Sequence, residues 1–244
     1  TLAAGTILGN TGTITLGDES VGLYGDSTAT NYTTSNSGDI TVGKKGIAMF
    51  GYASDVTGGT ITVGEGGVGV YSQGGNVNLT GGTITTGSGE AVGVYTVGSG
   101  QTIANSGTAF NLGDTSVAIA NTGSGNTISS TVGSVTLGNG NIYIYSNDIT
   151  GTVNNSTNLA LTATSTGGNY GIYSAGTINN SGNMNFGAGI GNVGIYLTSG
   201  TASNTGTITI GGSDLNAVDA NGDSKPLYGI GMATTGGTIT NGAG

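Results

Sequence analysis

The sequence predicts an all-β chain wound as a right-handed parallel β-helix, and three observations carry that reading. A phrase built on Gly-Thr-Ile-Thr recurs about every 24 residues. A second phrase, Val-Gly-X-Tyr, keeps the same beat. Apolar residues alternate with small polar ones throughout, and no stretch has helical periodicity. At that period the chain makes about ten coils of three short strands each. The 53 glycines and single proline fit neither collagen, which needs glycine at every third position and abundant proline, nor ordinary disorder, which needs dense charge or proline.

The first strand of each coil is the loosest. It places an aliphatic residue, such as Ile7, Val56, Val77, Ile103, Ile128, Val153 or Ile178, shortly before a turn usually spelled Asn-Ser/Thr-Gly or Thr-Gly-Gly. The asparagines of these turns, Asn10, Asn36, Asn105, Asn180 and Asn204, are expected to cap turn amides and to stack as a ladder. The turn glycines Gly12, Gly38, Gly59, Gly82, Gly107, Gly133, Gly182 and Gly206 are expected to supply a corner with positive φ, which costs a residue with a Cβ free energy.

The second strand reads GTITLG at 12–17, GDITVG at 38–43, GTITVG at 59–64, GTITTG at 82–87, GSVTLG at 133–138, GNMNFG at 182–187 and GTITIG at 206–211, with weaker copies at 107–113 and 157–162. The third strand reads VGLY at 21–24, IAMF at 47–50, VGVY at 68–71 and 92–95, VAIA at 117–120, IYIY at 142–145, YGIY at 170–173, VGIY at 193–196 and YGIG at 228–231. Strict alternation puts Val68 and Val70 inward and Gly69 and Tyr71 outward. Parallel crossovers are overwhelmingly right-handed, which sets the hand. No single coil buries enough apolar surface to order its own backbone, so stability has to come from stacking on neighbours.

Two features stand out as candidate interaction residues. An outward column of Tyr24, Phe50, Tyr71, Tyr95, Ala120, Tyr145, Tyr173 and Tyr196 offers rigid aromatic area with polar tips to a sugar ring or a protein, or simply packs ring on ring. An excursion at 212–227 replaces the usual short connection with clustered acids, the only proline and a lysine, and binding residues tend to sit on such loops. It carries Asp214, Asp219 and Asp223. Asp219, Asn221 and Asp223 match the first oxygens of an EF-hand-like calcium loop, but Ser224 stands where that loop needs glycine and no bidentate glutamate follows. No metal or cofactor is therefore assigned. Asp18, Lys44, Glu65 and Asp114 each follow a closing glycine, which puts Lys44 one coil from Asp18 and one from Glu65 in an exposed charge ladder.

Composition narrows the function. Without cysteine or histidine there is no Ser-His-Asp or Cys-His machinery, no disulfide and no nitrogen or sulfur zinc set. Three lysines, no arginine and twelve carboxylates give a net charge of −9, the wrong field for nucleic acid. A membrane β-barrel needs spans of about 9–11 unbroken residues with aromatic girdles, whereas these runs break at glycine after four or five, so no membrane insertion is expected.

The linked pattern N-[ST]-G-T-I-T-[VIL]-G, a short acidic or glycine turn, then V-G-[IV]-Y resembles the passenger domains of very large autotransporter adhesins of type V secretion, especially the fusobacterial kind. The resemblance spans nearly the whole chain. It implies residues 1–244 as a single β-helix segment of a longer passenger, displayed extracellularly from the outer membrane. It further implies a structural and adhesive rod attaching to a host or bacterial surface glycan or protein, and no enzyme. Two other classes compete. A polysaccharide-active lyase or glycosidase needs paired carboxylates in a groove, and the twelve acids are scattered. An ice-binding face would use the pairs Thr13/Thr15, Thr60/Thr62, Thr83/Thr85 and Thr207/Thr209, but Asp39, Ala109, Asn158, Asn183 and Asn185 interrupt the array.

Overall fold

The structure, a computed structural model, describes residues 5–25 and 32–242; Thr1 and Gly244, between which the sequence reading runs the repeat, lie outside them. The described chain is an all-β, right-handed parallel solenoid without a helix. Its walls follow the three phrases. Wall one runs from Ile7–Asn10 through Thr33–Asn36, Thr102–Asn105, Thr127–Ser130 and Thr152–Asn155 to Thr238–Asn241. Wall two includes Thr13–Thr15, Asp39–Val42, Ala109–Asn111, Ser134–Leu137 and Asn158–Leu161. Wall three includes Val21–Tyr24, Ile47–Gly51, Val68–Ser72, Val92–Thr96, Val117–Asn121 and Ile142–Ser146. Where a corner stays in the ladder, two walls merge into one strand, as in Ala53–Val63, Val77–Thr86, Tyr170–Asn180 and Val193–Asn204.

Equal phrases stack in register: Ile61 on Ile84, Val70 on Val94, Ile128 on Val153, Ile172 on Ile195. Backbone bonds therefore run along the axis, and one continuous core fills the interior. In a single coil Val77, Leu79, Ile84 and Val94 are all fully buried.

Several expectations need correction. Wall three is nine strands deep, giving eight steps between coils; dividing length by period counted the excursion and the ends as coils. The ninth copy is Ile230-Gly231-Met232-Ala233, opposite Val193 through Tyr196, so Tyr228 lies outside the ladder; the match at 228–231 was two residues out of register. Ile7 is exposed, with Leu8 in its place against the core, and Val56 sits in the asparagine column between Asn36 and Leu79.

Wall three also departs from strict alternation. Val70 faces in and Tyr71 out, but Gly69 faces in and Val68 is half-buried. A Cβ on Gly69 would stand 3.1 Å from Ile84 Cγ2, one on Gly93 2.7 Å from Phe110 Cε1, and one on Gly194 2.9 Å from Ile208 Cγ2. The branched residue of wall two occupies the space a side chain would take.

Among the turn glycines, only Gly59 and Gly82 have positive φ, at 67° and 76°. Gly38, Gly107, Gly182 and Gly206 are required for a different reason, because a side chain there would strike a backbone carbonyl of the coil beneath. Gly12 and Gly133 are under neither constraint.

The asparagine ladder forms but in two pieces, and Asn105 joins neither: between Leu79 and Ser130, its side chain bonds Thr108 of its own coil. Asn10 Nδ2 donates to Asn36 Oδ1 at 2.9 Å, then Val56 and Leu79 interrupt; above, Asn155, Asn180, Asn204 and Asn241 form a chain of amide bonds of 2.6–2.7 Å. All but the exposed Asn241 are buried polar groups with partners, which removes most of the cost of burying them.

One level of the rod is irregular. In wall two no ladder joins Ala109–Asn111 to Ser134–Leu137, and the upper strands form a separate sheet. At this level Phe110 replaces the usual isoleucine, and Tyr143 takes the inward slot held by glycine or alanine below. Their rings meet edge-on at 6.5 Å, and the Tyr143 hydroxyl lies 2.5 Å from Ser130 Oγ. Two large rings packed between the walls hold them apart and open a cleft of ≈ 530 Å³ lined by Phe110, Ser134 and Val135.

Candidate functional site

The register brings the aromatic column together, because each member follows an inward residue and so projects from wall three. It forms two stacks rather than one. The lower joins Tyr24, Phe50, Tyr71 and Tyr95 with centroids 5.1, 5.1 and 5.3 Å apart. The upper joins Tyr145, Tyr173 and Tyr196 at 5.5 and 5.0 Å, with Tyr170 edge-on to Tyr173 and Tyr196. Ala120 separates the stacks. Beside that gap Tyr95 tilts 50° from Tyr71, against 10–22° for the other ring pairs stacked between successive coils, and its hydroxyl accepts from Thr122 Oγ1 at 3.2 Å. Burial pushes the phenols of Tyr71 and Tyr173 up, and neighbouring tyrosines add to it, so both stay neutral at ordinary pH. Apart from the exposed Tyr24, the column is a half-buried aromatic strip whose faces are mostly spent on one another.

The excursion is the one antiparallel element among the described residues. Its sequence lacks alternation, yet Asp214 and Leu227 exchange backbone bonds of 2.8 Å, Lys225 donates to Ala217 O, and Val218 bridges Ser224, making a hairpin. The three acids do not converge. Asp214 sits at the foot, where its Oδ1 accepts the Asn216 amide. Asp219 is at the tip, where its Oδ1 caps the turn by accepting the Asn221 and Asp223 amides at 2.8 and 3.1 Å; Gly222, with φ of 84°, closes that turn. Asp223 is exposed and takes part through its backbone carbonyl. No group of three or more His, Cys, Asp or Glu able to hold a metal occurs among the described residues.

The hairpin instead collects apolar surface. Leu215 and Val218 are 60% and 61% exposed, and Leu227, Tyr228 and nearby Ile190 are exposed as well. On a rod whose other outward positions are mostly Thr, Ser, Asn and Gly, this is the largest gathering of exposed large apolar side chains among the described residues.

The charge ladder is as expected. Lys44 Nζ lies 2.8 Å from Glu65 Oε2, and the Lys44 amide donates to Asp18 Oδ1 at 2.7 Å. The hydrogen bond and charge of Glu65 raise Lys44, and Lys44 lowers Glu65 in return. Both side chains are exposed, which leaves little net stability in the pair.

Sequence reasoning overlooked a second polar corner. Asn141, Asn169 and Asn192 each follow a glycine and open a wall-three strand, a signal visible in GNIYIY, GNYGIY and GNVGIY. Each is buried, and the Asn141 and Asn169 amides donate to the side chain of the coil above, at 2.9 and 3.0 Å. It also overlooked Asp148, a buried carboxylate whose Oδ2 accepts the Asn126 amide and whose Oδ1 accepts the amide and hydroxyl of Thr150. These are structural corners, their polar atoms taken up by backbone groups of their own and neighbouring coils. No protein-family model, no curated protein and no solved structure matches this chain.

Proposed function

We propose that this chain is a structural and adhesive rod of a bacterial cell surface, held outside the outer membrane, and that it attaches to host cells or other bacteria through the hairpin at 212–227. The observation that carries the reading is the concentration of Leu215, Val218, Leu227 and Tyr228 on one projecting element of an otherwise polar solenoid. Exposed apolar patches rimmed by polar residues mark interaction sites, and the acids Asp214, Asp219 and Asp223 supply that rim. The autotransporter-like repeat supports the setting. A stacked β-helix supports the mechanical part, because every coil is bonded to the next along the axis.

The test replaces residues 213–227 with a two-residue Asn-Gly turn and measures retention of host and bacterial cells on the immobilised chain. Cell retention is expected to fall to background while the far-ultraviolet spectrum and melting temperature stay within a degree or two, since the hairpin contributes nothing to the core. Undiminished retention by the shortened chain, or no retention by the parent, would overturn the proposal.

A further inference from the structure

We propose that the trough along the corner between walls one and two binds a neutral, linear oligosaccharide, a second site on a different corner from the hairpin. The trough arises from alternation. Ser130, Asn155 and Asn180 turn their side chains into the core, so their backbone forms a floor, while the residues before and after them stand up as two rims. It spans four successive coils and encloses ≈ 280 Å³. At one strand spacing per coil it is about 15 Å long and about 7 Å between rims.

The lining is uniform in chemistry: every side chain is Ser, Thr or Asn, and none ionises. One rim carries Thr131, Ser156, Ser181 and Thr205. Each hydroxyl reaches back to a carbonyl of the coil below, but only at 3.4–3.5 Å, the weak limit of a hydrogen bond, so each is free to turn to a better partner and keeps its acceptor lone pairs. On the other rim Asn179 Nδ2 donates to Asn154 Oδ1 at 2.9 Å. That leaves the Asn154 amide hydrogens and Asn179 Oδ1 as a donor and an acceptor on adjacent coils of the same column.

Sugar hydroxyls match this set, because each both donates and accepts, and a linear glycan presents them at a regular spacing along its length. An anionic glycan or nucleic acid would find no cation here, and a charged peptide no counter-ion. The same outward column lower down is different: Asp55 is anionic and already takes the Asn78 amide at 2.8 Å. The site is therefore confined to the coils from 129 to 205.

The test uses the whole chain with cellohexaose, laminarihexaose and mannohexaose as neutral probes and hexagalacturonate as the anionic one. Binding is read by calorimetry and by shifts of side-chain amide resonances. We expect at least one neutral hexasaccharide to bind and to shift the Asn154 and Asn179 amides. The Asn154→Ala/Asn179→Ala double variant should weaken binding roughly tenfold or more, the scale of one or two lost hydrogen bonds. Thr209→Ala, outward on wall two, should bind as the parent does. Should the double variant melt earlier than the parent, Ser181→Val removes a trough hydroxyl without touching the amide pair and should weaken binding in the same direction. Failure of all three neutral probes, parent-like binding by both altered chains, or hexagalacturonate binding as tightly as the neutral sugars would overturn the proposal. None of these outcomes bears on the hairpin, which is assayed by cell retention.

Discussion

The coils below and above the irregular level obey the same repeat but hold their corners differently. Below it, the corner after wall one is mixed: Asn10 and Asn36 form one amide pair, Val56 and Leu79 follow as fully buried apolar residues, and Asn105 stands above them. Above it, from Thr152 on, that corner is a run of amides from Asn155 to Asn241, and the corner before wall three is a second run, Asn141, Asn169 and Asn192. Either solution keeps the coil spacing, because both an aliphatic stack and an amide stack repeat at the strand separation. The irregular level is marked instead by exceptions in several columns at once. Ser130 stands in the asparagine column there, Ala120 in the tyrosine column, and Phe110 and Tyr143 fill the interior where wall two loses its ladder. A repeat fixes the period of a solenoid; it leaves each corner its own chemistry.

Tyr143 holds that junction together, so its removal should give the largest effect. Tyr143→Ala takes away a fully buried ring that abuts Phe110 and bonds Ser130, and the walls on either side are tied to further coils and cannot close around the void. A loss of about 3–5 kcal/mol is expected in chemical denaturation. Leu215→Ala, on the hairpin, should cost under about 0.5 kcal/mol in the same assay. Similar losses from the two would mean that the junction is no more tightly packed than the surface.

Most of this architecture was legible because it is periodic. The three walls, the pairing of like phrases, the outward tyrosines and the asparagine ladder all follow from residues that recur at one spacing. Orientation within a phrase was less legible: alternation placed Gly69 outward, whereas it faces in, where the Gly93 carbonyl and Ile84 leave no room for a side chain. The excursion lost its register for a related reason. Tyr228 looks like the head of a Tyr-Gly-Ile-X phrase, but the ladder on Val193–Tyr196 starts at Ile230, which puts Gly231 rather than Gly229 in the column of Gly194. The hairpin strands escaped because their pairing is local and antiparallel and no other coil repeats it. Of the candidate residues, the tyrosines stand in one outward column as the repeat requires, and the hairpin spends the carboxylates of Asp214 and Asp219 on its own turn amides, a use that no periodicity could reveal.

A smaller effect distinguishes the amide-held part through pH. Asp148 sits in a corner of the upper part. Burial alone would raise its carboxyl, but the amides of Asn126 and Thr150 and the Thr150 hydroxyl outweigh it and hold the group below its ordinary value of 3.8. A lowered folded value means that stability from this group is fully present above the unfolded value and is lost as pH falls through the folded one. Unfolding free energy should therefore drop between about pH 4 and the onset of acid denaturation, and Asp148→Asn should flatten part of that slope. At pH 7 the same variant should cost about 1–3 kcal/mol, because its amide nitrogen would face a backbone donor that now has no acceptor. An unchanged acid slope in Asp148→Asn would remove this carboxylate from the account.

The smallest effect concerns the gap in the aromatic column. Ala120 projects from wall three in line with Tyr95 and Tyr145, so a tyrosine there extends outward and does not overfill the core. It would join the two stacks through two new ring contacts, each worth about 0.5–1.5 kcal/mol in a favourable geometry. Against this, Tyr95 must stand up from its 50° tilt and give up the Thr122 hydrogen bond. The two terms leave a net gain of about 1 kcal/mol for Ala120→Tyr, measured as a higher denaturation midpoint together with a stronger near-ultraviolet tyrosine signal. A lower midpoint would mean that the leaning Tyr95 already fills the gap, and that the alanine matches the change of corner chemistry beneath it rather than marking a missing rung.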